Sequence, residues 1–302
     1  MKIAWRHLAS QTQTLGTLGR VALGALRPHG PVTRPALPGP WRRATLAPRD
    51  PALVRAFVTW AGGDPGAYRG VVPATLVPQW GFPLAAEAMR GLGYPLLGVL
   101  NAGCRLERRG SLDLRRPLEV AARLVSVDDN GARAVITVEV LTGTADAPDQ
   151  VRALFRAMVR LGGAGRAGGR RPPVLVPLGA RELSYGRLDA NAGAAFAVLT
   201  GDLNPIHWLK PWARASGFGS VILHGFGTLA RAHEALVRGV AAGDPEALSG
   251  LDVRFVAPLV LPASVGTYQS VREVSVGVAP GGPAYLTGRF AVRGEALDPE
   301  VF

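Results

Sequence analysis

Residues 196–225 read FAVLTGDLNPIHWLKPWARASGFGSVILHG. Inside this stretch, Thr200-Gly201-Asp202-Leu203-Asn204-Pro205-Ile206-His207 sets a carboxylate and an imidazole with four residues between them. Asn204 and Pro205 form turns readily: proline fixes φ, and asparagine bonds nearby backbone. Pro205 also pushes Asn204 out of the helical region. Asp202 and His207 are therefore expected on a short bent segment rather than on one helix face. Such a bend can bring both side chains into one small volume, which acid–base chemistry on a shared water requires. Asn204 reads first as the residue that holds the bend and orients Asp202; contact with substrate is the alternative.

Working outward, Ala190–Leu199 reads as a helix that leads into the motif. His224-Gly225 precedes a second, amphipathic helix with Phe226, Leu229, Ala230, His233 and Leu236 on one side. Gly239 and Gly243 mark its end. Strands are expected near 181–188, 251–256, 263–271, 273–278 and 284–293. The N-terminal half shows a comparable order. A short helix opens at Asp50-Pro51, Val71–Trp80 reads as extended and irregular because of Pro73 and Pro78, and a helix opens at Pro83. Strands then follow near 97–106, 118–127, 132–141 and 151–161, with Asp128-Asp129-Asn130-Gly131 as a hairpin turn. Four segments result: a basic leader and linker at 1–40, a first domain at 41–161, a Gly/Arg/Pro linker at 162–173 and a second domain at 174–302.

The chain has 302 residues, 48% apolar and 19% charged, which suits two globular domains and argues against disorder. Its single cysteine, Cys104, permits no internal disulfide and suits a reducing compartment; a buried small hydrophobe is its expected role. The net charge is +12, and eight positive residues precede the first acid, Asp50. The excess thus sits mostly in residues 1–49, and no aromatic-interleaved basic motif points to nucleic acid. Polyanionic partners of another kind, such as the phosphates of coenzyme A or an acidic carrier protein, fit better. The leader is expected to be a docking helix or arm packed on the body, with a helix over Trp5–Leu26. A transit peptide is the alternative, so the expected location is cytoplasmic or else organellar. No apolar run is long enough for a membrane-spanning helix.

The pattern Phe196, Thr200-Gly201-Asp202, Asn204-Pro205-Ile206-His207, Gly217-Phe218, His224-Gly225 resembles the MaoC-type (R)-specific enoyl-thioester hydratases and 3-hydroxyacyl-thioester dehydratases. Phe196 stands where the family usually has tyrosine, and Thr200 where serine is commoner. Weaker likeness over residues 40–302 is in the manner of double hotdog members. The resemblance implies an α+β chain of two fused units, each an antiparallel sheet wrapped around a long helix, forming an intrachain pseudo-dimer. It implies Asp202 and His207 as the catalytic pair and the Gly225 N–H as oxyanion donor. Gly201, Asn204, Pro205 and His224 would support and position them. It also implies acyl-CoA or acyl carrier protein thioesters as substrates and no dissociable cofactor; homodimerisation is left open.

The first domain has no histidine, so it resembles the degenerate half of such proteins, which widens the acyl tunnel. The runs Leu76–Leu84 and Tyr94–Leu100 would then line a tunnel, or else belong to the core. His7 and His29 are expected in solvent, His233 as a satisfied helix residue, and Phe218 in the core. Asp202, His207 and His224 lack a second carboxylate or cysteine at ligand spacing, so no metal site is expected. A thioesterase on the same fold, or a non-catalytic acyl-thioester-binding module, are the alternative readings.

Overall fold

The computed structural model describes residues 5–11, 36–94, 99–161 and 172–298. Its strands are β1 (Arg42–Leu46), β2 (Leu100–Arg108), β3 (Leu118–Asp129), β4 (Arg133–Thr144), β5 (Ala147–Arg160), β6 (Arg181–Leu188), β7 (Leu248–Phe255), β8 (Ala263–Ser270), β9 (Glu273–Gly277) and β10 (Ala284–Val292). They form one antiparallel ten-stranded sheet in the order β1-β3-β4-β5-β2-β7-β10-β9-β8-β6. From either outer edge inward, the strands of each half follow the same order: first, third, fourth, fifth, second. The halves meet where β2 pairs with β7, Cys104 opposite Val253. This repeat of topology is the double hotdog, and it is far plainer than the faint sequence likeness between the halves.

Strand alternation puts the core on one face of the sheet. On β5, Val151, Ala153, Phe155 and Val159 are buried towards the helices. Arg152 and Arg156 point the other way, into a chain of ion pairs on the outer face. Arg123 and Arg152 both grip Glu139, at 2.7 and 2.6 Å. Arg105 binds Glu107 at 2.6 Å, and Arg105 and Arg156 reach Asp252 across the join between halves at 3.3 and 2.8 Å. Cys104 lies beneath this join, 1% exposed, and burial pushes its thiol pKa upward, so it is a core residue.

Among the described residues there are five α-helices: α1 (Pro51–Ala61), α2 (Pro78–Ala88), α3 (Ala192–Thr200), α4 (Lys210–Ala215) and α5 (Gly225–Gly239). α1 begins as its sequence requires, with the Asp50 carboxylate accepting from the Ala52 amide at 2.8 Å and Pro51 in the first turn. The expectations for 71–83 need correction. Ala74–Leu76 is a 3₁₀ turn, and α2 begins at Pro78 with Pro83 inside it. Pro78 occupies a first-turn site where the missing N–H costs nothing. Packing then overrides Pro83: Trp80 is buried and its indole donates to Thr142 Oγ1 at 3.0 Å. Leu76 and Val77 are core residues as well.

The first described segment, Trp5–Gln11, is a 3₁₀ helix that packs on α3. His7 is buried, 2% exposed and 3.8 Å from Asp50, against the expectation of a solvated side chain. Gln11 is fully buried and donates to the Val198 and Leu199 carbonyls at 3.3 and 3.0 Å. The rest of the expected Trp5–Leu26 helix, His29, residues 95–98 and most of the 162–173 linker lie outside the described residues. Among the described residues, no helix is long and apolar enough to cross a membrane.

Candidate active site

α3 ends at Thr200 because Gly201 adopts a left-handed conformation, φ 77°, and its amide closes on the Ala197 carbonyl at 2.8 Å. The chain then turns through Asp202 and Leu203 into a 3₁₀ turn, Pro205–His207. Asn204 caps that turn, its side-chain oxygen accepting from the Ile206 amide at 3.3 Å, while its own amide faces Asp202 Oδ1 at 3.4 Å. The bend holds together as its residues suggest, and Asn204 does so through backbone contacts.

The bend brings Asp202, His207 and His224 together, with a donor or acceptor atom from each within 4.8 Å of the others. His207 Nδ1 lies 2.9 Å from the Ile222 carbonyl. A carbonyl can only accept, so Nδ1 carries the proton and the Nε2 lone pair is free to act as a base. His224 Nε2 lies 3.0 Å from the Asp202 backbone carbonyl, which fixes its proton on Nε2 by the same argument. The two imidazoles stack, centroids 3.5 Å apart, and Phe196 packs against His224 at 4.7 Å. Thus His224 is wedged between His207 and Phe196 of the core.

Burial dominates the electrostatics. It lowers the His207 pKa below its ordinary value, partly opposed by the Asp202 charge. It depresses His224 well below the usual imidazole range, with His207 adding to the effect, so His224 is neutral. Burial raises the Asp202 pKa, opposed by His207 and by the Asn204 amide. The three groups thus form a site with little fixed positive charge, free imidazole lone pairs at His207 Nε2 and the buried His224 Nδ1, and one carboxylate that is 17% exposed.

A metal ion suits this set poorly. In-plane lone pairs coordinate metals, and an ion about 2.0 Å from a nitrogen on each of two stacked rings would lie well outside both planes. His224 Nε2 and His207 Nδ1 are also committed to carbonyls.

α5 starts at Gly225, directly after His224. The first turn of a helix leaves its amides without intrahelical partners and carries the positive end of the dipole. Glycine is required at this point: a Cβ on Gly225 would lie 2.7 Å from the Phe255 ring. Ile206 is buried and Phe218 is partly buried against the core. His233 is buried too, with Nδ1 at 3.4 Å from Glu234 Oε1, which also accepts from Tyr68 of the other half. It sits away from Asp202 and His207.

Two participants carry no motif signal. Ile222 supplies the carbonyl that sets the His207 tautomer, which any residue type could do. Gly193 lets α3 approach the bend, since a Cβ there would lie 2.2 Å from the His207 carbonyl oxygen. Its only trace in the sequence is a lone glycine inside an alanine-rich helix.

The family profile described as "MaoC like domain" matches residues 186–279. The "3-hydroxyacyl-thioester dehydratase X" of Mycobacterium tuberculosis is 28% identical over 86% of this chain and 89% of its own length. The "Enoyl-CoA hydratase ChsH3" of the same organism is 30% identical over 55% of this chain and 58% of its own. The crystal structure of HtdX from Mycobacterium tuberculosis superposes with a TM-score of 0.68, covering 82% of this chain and 98% of that one at 21% identity. Residues 186–279 thus match a MaoC-like domain, and the chain as a whole has the double hotdog fold of the solved structure it resembles.

Proposed function

We propose that the protein is a hydro-lyase that reversibly adds water to trans-2-enoyl thioesters to give (R)-3-hydroxyacyl thioesters. The convergence of Asp202 and His207 beside the amino end of α5 carries this reading. A water held between the Asp202 carboxyl group and His207 Nε2 forms its O–C3 bond as one of the pair takes its proton. A proton is delivered to C2 as the C2–C3 double bond is consumed. The thioester oxygen, which gains enolate charge in between, accepts from the Gly225 N–H at the positive end of the helix. Gly201, Asn204 and Pro205 hold the bend, and His224 holds the Asp202 backbone while remaining uncharged beside His207. No redox step or electron sink is needed, so the only carrier is the thioester's own, coenzyme A or an acyl carrier protein. A reducing compartment such as the cytoplasm suits the lone thiol.

The test is turnover of crotonyl-CoA by folded Asp202→Asn and His207→Ala proteins. Each is expected to lose roughly 10²–10⁴-fold in kcat, the range for a positioned acid or base. Wild-type rates in both variants refute the assignment. Chiral analysis of the product tests the (R) configuration. Thiol release in place of lost enoyl absorbance would instead identify a thioesterase.

A further inference from the structure

The start of α5 has two contrasting flanks. On one side a hollow of about 120 Å³ reaches Leu223 and is lined by Thr228, Arg231, Arg238 and Thr267. Arg231 and Arg238 donate to the Trp60 and Gly62 carbonyls at the end of α1 and make no ion pair among the described residues. That flank is polar and cationic. On the other flank four phenylalanines interlock. Phe82 of α2, Phe155 of β5 and Phe226 of α5 meet pairwise edge to face at 5.1–5.3 Å, and Phe255 of β7 joins Phe226 at 5.7 Å. Phe155 is 4% and Phe226 1% exposed, while Phe82 and Phe255 are only partly buried. The Phe155 ring rests on Gly81 and the Phe255 ring on Gly225, each within 3 Å of where a Cβ would stand.

We infer that this aromatic wall is the acyl-chain stop, and that it restricts the protein to short enoyl chains. The inference rests on the proposed hydration reaction. A thioester has an apolar tail and an amide- and phosphate-bearing carrier arm. The polar, cationic flank suits the arm, and the dry aromatic flank suits the tail. The wall is built from both halves of the chain, so it fills the space between them where a wider tunnel was expected. Edge-to-face rings that already satisfy one another leave no passage for a long chain unless a ring is removed.

The experiment measures kcat/KM for crotonyl-, octenoyl- and dodecenoyl-CoA with the wild-type protein and with Phe82→Ala and Phe155→Val. Phe82 is partly exposed, so its variant tests the idea even if Phe155→Val folds poorly. The wild type is expected to favour crotonyl-CoA over dodecenoyl-CoA by at least about tenfold, and each variant to raise the dodecenoyl-to-crotonyl ratio by about tenfold or more. Wild-type preference for the long chain overturns the inference, as does an unchanged ratio in a folded Phe82→Ala protein, and both leave the hydration reading intact. Absence of turnover at every length overturns both.

Discussion

Gly193→Ala isolates the contact that seats the imidazole. The new Cβ would lie 2.2 Å from the His207 carbonyl oxygen and 3.1 Å from its carbonyl carbon. An unstrained carbon–oxygen contact is about 3.3 Å, so roughly 1 Å of separation has to open. Neither atom is the end of a flexible side chain. α3 is buried along its length, so the short 205–207 turn is the part that yields. That movement drags His207 from the Ile222 carbonyl, 2.9 Å away, and from its place beside Asp202. A misplacement of this size costs about 10²-fold in rate, or about 2.7 kcal/mol of transition-state stabilisation. Overpacking adds about 1–3 kcal/mol of lost stability. The assay is kcat on crotonyl-CoA, with circular dichroism and thermal unfolding to show that the variant is folded. Gly179→Ala, where a Cβ meets nothing within 4 Å, is the control and should behave as wild type. Wild-type turnover by a folded Gly193→Ala protein would falsify the reasoning.

Other perturbations test other parts of the molecule. Because burial lowers the His207 pKa, its lone pair survives to more acidic pH than in a solvated imidazole. The acid limb of kcat/KM attributable to His207 should therefore fall below 6.5, and a limb at or above that value contradicts the burial argument. Glu139→Gln should destabilise the fold by about 2 kcal/mol at neutral pH by leaving Arg123 and Arg152 short of a partner. Burial resists the Glu139 charge, yet hydrogen bonds and charge from these two arginines hold its pKa below the ordinary 4.5. Its stabilisation is thus complete above that value and lost as pH falls through the lowered one, so urea titrations of wild type and variant should converge in acid. Gln11→Ala leaves the Val198 and Leu199 carbonyls without their side-chain donor, just before the bend. It should cost about 1–2 kcal/mol of stability and reduce turnover, measured by thermal melts and crotonyl-CoA kinetics. Unchanged values would mean that the N-terminal segment is dispensable to the site.

The features legible along the chain are local in character. Turn chemistry at Asn204-Pro205, a glycine after the helix at 201, and His-Gly ahead of an amphipathic repeat are all signals spanning a few residues. They specify the bend, the helix start and the strands of both halves because neighbours along the chain decide them. The hairpin at 128–131 and the start of α1 at Asp50-Pro51 were legible for the same reason. Tertiary structure decided the rest. Pro83 lies inside a helix because the burial of Trp80 outweighs a lost amide, and His7 and Gln11 are buried because α3 receives them. The His207 tautomer depends on a backbone carbonyl at residue 222, whose side chain has no say in it. The phenylalanine wall needs one ring from each of four separate elements. Contacts between distant segments leave almost no trace in any one of them, since each residue there is simply apolar, or simply small.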